Sequence, residues 1–73
     1  MAARTAHRKS LGQAIRRYRK KAEITQERLG ELANLNPKYI GEVERTEKTI
    51  SVDALVRVAA ALKVHVRDLV RDF

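Results

Sequence analysis

The segment TQERLGELANLNPKYIGEVERTEKTIS, from Thr25 to Ser51, predicts two short helices joined by a tight turn. Thr25 is placed to cap the first helix, because its hydroxyl can accept a free backbone N–H at the helix start. Asn34 ends that helix, since asparagine tolerates the left-handed conformation that a tight turn between helices often needs. Asn36 caps the second helix, and Pro37 occupies its first helical position, where a missing N–H costs nothing. The second helix is expected to end at about residue 44 or 45, before a polar loop.

Apolar residues at spacings of three and four predict further helices on both sides of this segment. One is expected over about residues 10–21 with Ser10 as its cap, one after Ser51, and a short one over about residues 66–70. The sequence therefore predicts a compact all-α domain of five helices over residues 10–73, preceded by a flexible basic arm over residues 1–9. The residues expected to face the core are Leu11, Ala14, Ile15, Tyr18, Ala22, Leu29, Leu32, Ala33, Leu35, Ile40, Val43, Leu55, Val58, Ala59, Leu62 and Leu69.

Length and composition limit the classes of function. The 73 residues suit one small domain, and the absence of cysteine excludes disulfides and thiolate metal sites. His7 and His65 are isolated, and no catalytic triad, pair of catalytic carboxylates or glycine-rich phosphate loop is evident. We therefore expect a protein that is not an enzyme and uses no cofactor, metal or small-molecule ligand. No apolar run approaches the roughly 20 residues of a membrane span and no signal peptide is evident, which predicts a soluble cytoplasmic protein.

Positive charge is concentrated at the N-terminal end of the chain. Sixteen Lys and Arg against nine Asp and Glu give a net charge of +7. Residues 1–22 hold eight of the basic residues and none of the acidic ones. Such a basic pole suits a polyanion, with contacts that weaken as salt rises, although charge of this kind also serves solubility alone. A short helix presented on a basic domain fits the major groove of DNA.

Residues spread over nearly the whole chain match a known family. They are Leu11-Gly12, Ile15, Arg19, Ile24-Thr25-Gln26, Leu29, Leu35-Asn36, Tyr39-Ile40, Val43-Glu44-Arg45, Leu55, Ala59, Leu62 and Leu69. This pattern, over about residues 11–70, resembles the lambda-repressor-like, Cro/C1-type helix-turn-helix family. Residues 34–40 and the triplet Val43-Glu44-Arg45 are most similar to the controller proteins of restriction–modification systems. The resemblance implies a sequence-specific DNA-binding regulator of transcription, whose recognition helix begins at Pro37 and lies in the major groove.

Three positions depart from the family pattern. Gly30 stands inside a helix where members usually have alanine, so it either permits a closer approach of the two helices or is tolerated at a cost of about 1 kcal/mol. Thr46 stands where the family often has glycine. Pro37 stands where many members have a polar base reader, which reduces readout from this position to apolar contact.

Four side chains are expected to contact the bases. Lys38 can donate to guanine O6 or N7, and Glu42 can accept from cytosine N4. Glu42 can also form an ion pair with Lys38 one turn away, and this intrahelical pair is the favoured alternative. Arg45 follows the recognition helix and can reach a base edge or a phosphate. The fourth base contact is the apolar one from Pro37.

A second group of side chains is expected to contact DNA phosphates. Gln26 begins the first helix of the pair, where free N–H groups and the positive end of the helix dipole favour an anion. Tyr39 can donate its hydroxyl to a phosphate while its ring packs at the helix edge, with core packing alone as the alternative. The expected phosphate contacts are Arg17, Gln26, Asn36, Tyr39, Thr46 and Lys48.

The resemblance also implies an ion pair between Arg19 and Glu44, which orients the recognition helix without touching DNA. One recognition helix reads only a short half-site, so we expect a homodimer on a palindromic operator, with half-sites about one turn of DNA apart. The C-terminal segment has more apolar surface than a single short helix needs, which favours it as the dimer interface. The expected interface residues are Val64, Val66, Val70 and Phe73.

Other functions can use the same features. A helix-turn-helix scaffold can serve as a protein-interaction module such as an antitoxin, but an antitoxin usually has an additional segment that grips its toxin, and none is evident. RNA and membrane surfaces also attract basic proteins, but aromatic residues are few and the apolar face of the first helix is committed to the core. We therefore expect double-stranded DNA as the partner, with RNA polymerase as a further candidate and no membrane.

Overall fold

The computed structural model describes residues 2–71, and these form an all-α domain without strands, as predicted. The second and third helices form the helix-turn-helix, joined by residues 34–36. The second helix also packs against the fourth, the third against the first, and the fifth against both the first and the fourth. The five helices of the described residues are α1 Ala2–Lys21, α2 Gln26–Ala33, α3 Pro37–Glu44, α4 Val52–Leu62 and α5 Val66–Leu69. Within the same residues, no helix is both long and apolar enough to cross a bilayer.

The predicted caps around the helix-turn-helix are confirmed. Thr25 Oγ1 accepts a backbone N–H of α2 at 3.0 Å, and Asn36 Oδ1 accepts one of α3 at 2.8 Å. Asn34 adopts the left-handed conformation with φ 56° and ends α2. Ser51 Oγ accepts a backbone N–H at 3.1 Å and begins α4. The polar residues at these boundaries therefore set the length and direction of three helices.

The first helix begins eight residues earlier than predicted, at Ala2 instead of Ser10. Ser10 lies inside α1 and does not cap it, and residues 2–9 are helical where the sequence predicted an arm. These residues contain neither glycine nor proline and are rich in Ala, Arg and Lys, which favour helix, so α1 continues beyond the core. Arg8 connects this extension to the loop after α3 by donating to Thr49 Oγ1 at 3.0 Å.

The core lies where the five helices meet. Each aliphatic side chain buried there contributes roughly 1.5–3 kcal/mol to folding. Helix α3 supplies Ile40 and Val43, so the helix that follows the tight turn is anchored by two apolar contacts of its own. The largest fully buried side chains are Ile15, Leu29, Val58 and Leu69.

Two residues expected in the core lie outside it. Leu32 is 46% exposed, because the inward stripe of α2 runs through Leu29 and Ala33 and Leu32 lies at its edge. Ala22 is exposed because it follows the last residue of α1.

Gly30 permits the close approach of α2 and α3. A Cβ atom at this position would lie 2.6 Å from the carbonyl oxygen of Leu35 and 3.3 Å from Pro37 Cδ. The backbone of the turn therefore occupies the space that a side chain needs. Of the two explanations offered for this glycine, the structure supports the close approach.

Candidate DNA interface

One face of α3 is turned away from the core. Lys38, Glu42 and Arg45 follow one another at spacings of four and three residues, which place them on the same side of a helix. Lys38 and Arg45 are exposed and Glu42 is partly exposed, whereas Ile40 and Val43 on the other side are buried. The three polar candidates for base contacts therefore share one solvent-facing surface.

The ion pair between Arg19 and Glu44 is present and nearly buried. Arg19 Nε donates to Glu44 Oε2 at 2.7 Å, and Nη2 donates to Oε1 at 3.0 Å. Arg19 Nη1 also donates to the carbonyl oxygen of Ile24 at 2.9 Å. The hydrogen bond to Glu44 raises the pKa of Arg19, which further favours the charged guanidinium. The pair connects α1 to the last residue of α3 and so fixes the position of that helix end.

Gln26 extends this network from α2. Its Nε2 donates to Glu44 Oε1 at 3.1 Å, so three helices meet at one carboxylate. The amide lies beside Gly41 of α3, where a Cβ atom would be 3.2 Å from Gln26 Oε1. An amide has two N–H donors, so the second one and the free backbone N–H groups at the helix start are available to a phosphate. The phosphate contact itself stays a prediction.

An open cleft of about 220 Å³ lies where α1, α2 and α3 meet, lined by Arg16, Arg19, Gln26, Glu44 and Arg45. Arg16 and Arg45 are exposed and give the cleft positive charge. Arg16 was not among the DNA contacts predicted from the sequence. Its position three residues before Arg19 was the available signal, because residues at this spacing lie on the same side of a helix.

Two ion pairs lie at the end of α3, one exposed and one partly buried. Arg45 Nε and Nη2 donate to the two carboxylate oxygens of Glu47 at 3.0 and 3.2 Å. This hydrogen bonding lowers the pKa of Glu47 and raises that of Arg45. Lys48 Nζ lies 3.6 Å from Glu42 Oε1. The structure thus pairs Glu42 with Lys48 and not with Lys38, because the turn after α3 folds back and donates backbone N–H groups to the Glu42 carbonyl oxygen.

The hydroxyl of Tyr39 is used inside the domain. It accepts the backbone N–H of Ser51 at 3.0 Å and lies 3.4 Å from the carbonyl oxygen of Thr49. The ring is half-buried against the core. Tyr39 therefore connects α3 to the start of α4. To donate to a phosphate, its hydroxyl must turn away from the carbonyl oxygen of Thr49.

The remaining predicted contacts lie near α3 or on α1. Asn36 is exposed but uses its Oδ1 as the cap of α3, which leaves its NH₂ group for a phosphate. Pro37 and Thr46 are half-buried, and Thr46 adopts φ 64°. Arg17 is exposed on α1, with its guanidinium 5.8 Å from the ring centre of Tyr18, within the range of a cation–π contact.

The exposed apolar surface of the domain lies on α4 more than on α5. Val52 and Val56 are 78% and 52% exposed and lie one turn apart on α4. Phe73 lies outside the described residues. The other residues expected at a dimer interface are half-buried against the protein's own core, namely Val64, Val66 and Val70.

The capped helix α3 presents a stripe of polar side chains beside a cationic cleft. This arrangement is typical of a helix-turn-helix DNA-binding protein. The helix-turn-helix family matches residues 15–69, and this chain belongs to that family. It is a DNA-binding transcription regulator of the Cro/C1 type. In the described residues, no group of three or more His, Asp or Glu is arranged to hold a metal ion.

Similar proteins include controllers of restriction–modification systems. The chain is 37% identical over 59 residues to the control protein C.SmaI of Serratia marcescens, covering 81% of this chain and 70% of that protein. The restriction-modification controller protein C.AhdI from Aeromonas hydrophila matches the fold with a TM-score of 0.85 and 33% identity, covering 88% of this chain and 97% of that one. The clp gene regulator ClgR from C. glutamicum matches with a TM-score of 0.80 and 35% identity, covering 85% and 80%.

Proposed function

We propose that the protein binds a palindromic operator as a homodimer, with α3 in the major groove, and controls a restriction–modification system. The observation that carries this proposal is the exposed stripe of α3 next to the cationic cleft. One surface thereby combines polar side chains that suit base edges with cations that suit phosphates. Similarity to C.SmaI and C.AhdI supports the role as a controller.

Within this proposal, base contacts and phosphate contacts come from different elements. Lys38, Glu42 and Arg45 face the bases, and Pro37 adds apolar contact from the start of α3. Arg16 joins the phosphate contacts, because it lines the cleft beside Gln26. The other proposed phosphate contacts remain Arg17, Gln26, Asn36, Tyr39, Thr46 and Lys48.

The homodimer follows from the size of the reading surface. A helix of eight residues reaches only a few base pairs, so two copies are needed for a specific site. The position of the operator relative to the promoter then decides whether the bound dimer blocks RNA polymerase or contacts it.

Selection of bound DNA tests the proposal directly. The protein is mixed with random genomic fragments at two salt concentrations, and the retained fragments are sequenced. We expect an enriched palindrome whose half-sites are spaced by about one turn of DNA. Salt-sensitive retention without any shared motif would contradict the proposal, and an absence of retained DNA at both salt concentrations would favour the interaction-module alternative.

Two substitutions test the division between base and phosphate contacts. We expect Lys38→Ala to reduce the preference for the operator over unrelated DNA, because it removes a base contact worth about 1–3 kcal/mol. We expect Arg17→Ala to weaken all DNA alike and to reduce the salt slope by about 1. Binding titrations at several salt concentrations measure both quantities. Equal losses of preference from the two variants would contradict the assigned roles.

A further inference from the structure

Arg45 forms a two-point ion pair with Glu47 at the end of the recognition helix. Its Nε and Nη2 donate to Glu47 Oε2 and Oε1 at 3.0 and 3.2 Å, an arrangement that grips one edge of the guanidinium. Its Nη1 lies over α3, only 3.0 Å from where a Cβ atom of Gly41 would be. The guanidinium of a side chain that is about half exposed thus lies between Glu47 and the recognition helix.

This ion pair leaves the edge of the guanidinium between Nη1 and Nη2 without contact to Glu47. A guanidinium has five N–H donors, and Glu47 takes one from Nε and one from Nη2. Both donors of Nη1 and one of Nη2 remain, and adjacent donors of this kind match the O6 and N7 acceptors of guanine. The carboxylate also opposes a contact between Arg45 and the DNA backbone, because a phosphate that approaches Arg45 is repelled by Glu47 beside it.

We infer that Glu47 is a positioning residue that makes Arg45 a reader of guanine rather than a binder of phosphate. The inference rests on the proposed function, since it assigns to Glu47 the specificity of the same DNA surface. Without the carboxylate, Arg45 turns freely and neutralises whichever phosphate is nearest. Glu47 therefore lowers affinity for DNA in general and raises the preference for the operator.

The substitution Glu47→Gln tests this role, because glutamine keeps the shape and loses the charge. Affinity is measured for the selected operator and for an unrelated duplex of equal length, at several salt concentrations. We expect the ratio of the two affinities to fall on the order of tenfold. We also expect tighter binding to the unrelated duplex, with a salt slope steeper by about 1, because Arg45 now displaces a counterion.

Two controls separate this role from a general change in charge. Glu31→Gln removes the same charge from another exposed pair, in which Arg28 Nη1 lies 3.6 Å from Glu31 Oε1 on α2, and should leave the ratio unchanged. In an Arg45→Ala background, Glu47→Gln should have no further effect on the ratio, because the residue it positions is gone.

Three results would overturn the inference: an unchanged or higher ratio in Glu47→Gln, an equal fall in Glu31→Gln, or a fall that persists in the Arg45→Ala background. Each of them leaves the proposed function standing, provided that the unaltered protein prefers its operator. If the unaltered protein shows no preference for any duplex, the proposed function and the inference both fail.

Discussion

Thr46 ends the recognition-helix region in the left-handed conformation, with φ 64°. A β-branched residue is strained there, at a cost of about 1–2 kcal/mol. The resemblance to the family had indicated glycine as the usual residue at this position, and the backbone explains why. The sequence could identify the departure but not its cost, since the cost depends on the conformation of the turn.

We expect Thr46→Gly to stabilise the domain by about 1 kcal/mol, after allowing for the greater entropy of glycine in the unfolded chain. For a domain of this size the melting temperature should rise by roughly 4–8 °C. Thermal unfolding followed by circular dichroism measures the change. Lys48→Gly serves as the control, because Lys48 lacks a positive φ and should gain nothing. A lower melting temperature for Thr46→Gly would contradict the argument.

Arg19 and Glu44 form the most buried ion pair among the described residues. We expect Arg19→Ala to destabilise the protein by about 3–5 kcal/mol, because it leaves the Glu44 carboxylate buried with one neutral donor from Gln26. Urea unfolding measures this loss.

The double variant Arg19→Met, Glu44→Leu is the matched control for Arg19→Ala. It removes both charges and fills a similar volume, so it should recover most of the lost stability. If the double variant is as unstable as Arg19→Ala, the loss comes from packing and not from the unpaired carboxylate.

At the scale of the elements, two glycines inside helices have opposite surroundings. A Cβ atom at Gly30 meets the backbone oxygen of Leu35 at 2.6 Å, whereas one at Gly41 meets only the side-chain ends of Arg45 and Gln26, at 3.0 and 3.2 Å. Backbone in a tight turn moves only with strain, while the ends of long side chains move easily. The same substitution should therefore act differently in α2 and in α3.

We expect Gly30→Ala to destabilise the domain by about 1–3 kcal/mol, despite the better helix propensity of alanine, because the turn must open. Gly41→Ala is the matched control and should be neutral or stabilising by up to about 1 kcal/mol. Urea unfolding of the two variants beside the unaltered protein gives both values. Equal effects of the two substitutions would show that the turn yields more readily than its geometry indicates.

Helix α1 shows a limit of predicting a helix boundary from the spacing of apolar residues. Its apolar stripe ends near Leu11, so the pattern gave no signal for a helix before Ser10. The observed start at Ala2 agrees with helix propensity continuing from a folded core, and Arg8 of this extension contacts Thr49 in a loop 41 residues away in sequence. Apolar spacing alone misses this boundary, whereas the helix propensity of residues 2–9 is readable from the sequence.

At the scale of the whole molecule, the position of the exposed apolar surface bears on assembly. On α4, Val52 exposes most of its surface and Val56 about half, whereas the valines of α5 pack on the core. We therefore expect the second copy to cover α4. The sequence alone had favoured α5, because it could not show that these valines have partners within their own domain.

We expect the double variant Val52→Ser, Val56→Ser to weaken dimerisation at least tenfold, with little change in the stability of the monomer, since both side chains are exposed. Sedimentation analysis measures the first quantity and thermal unfolding the second. Val66→Ser is the comparison and should lower stability instead, because Val66 packs on the core. If the α4 variant remains a dimer and Val66→Ser dissociates, the interface lies on α5 instead.

The helix-turn-helix itself was determined by the sequence. Caps at Thr25, Asn36 and Ser51 and the left-handed turn at Asn34 act within a few residues, so residue type and spacing were enough to predict them. Helical periodicity alone placed Glu42 one turn after Lys38, and Arg45 was predicted to follow the helix.

Only the tertiary structure decided which partner each polar side chain takes. Glu42 pairs with Lys48 in place of Lys38, the Tyr39 hydroxyl accepts the backbone N–H of Ser51, and Arg16 lines the cleft beside Gln26. These choices depend on distances between segments that are remote in sequence and are set by the packing of whole helices. The sequence thus predicted which helix presents the candidate DNA surface, and the packing of the helices decided how the charges of that surface are arranged.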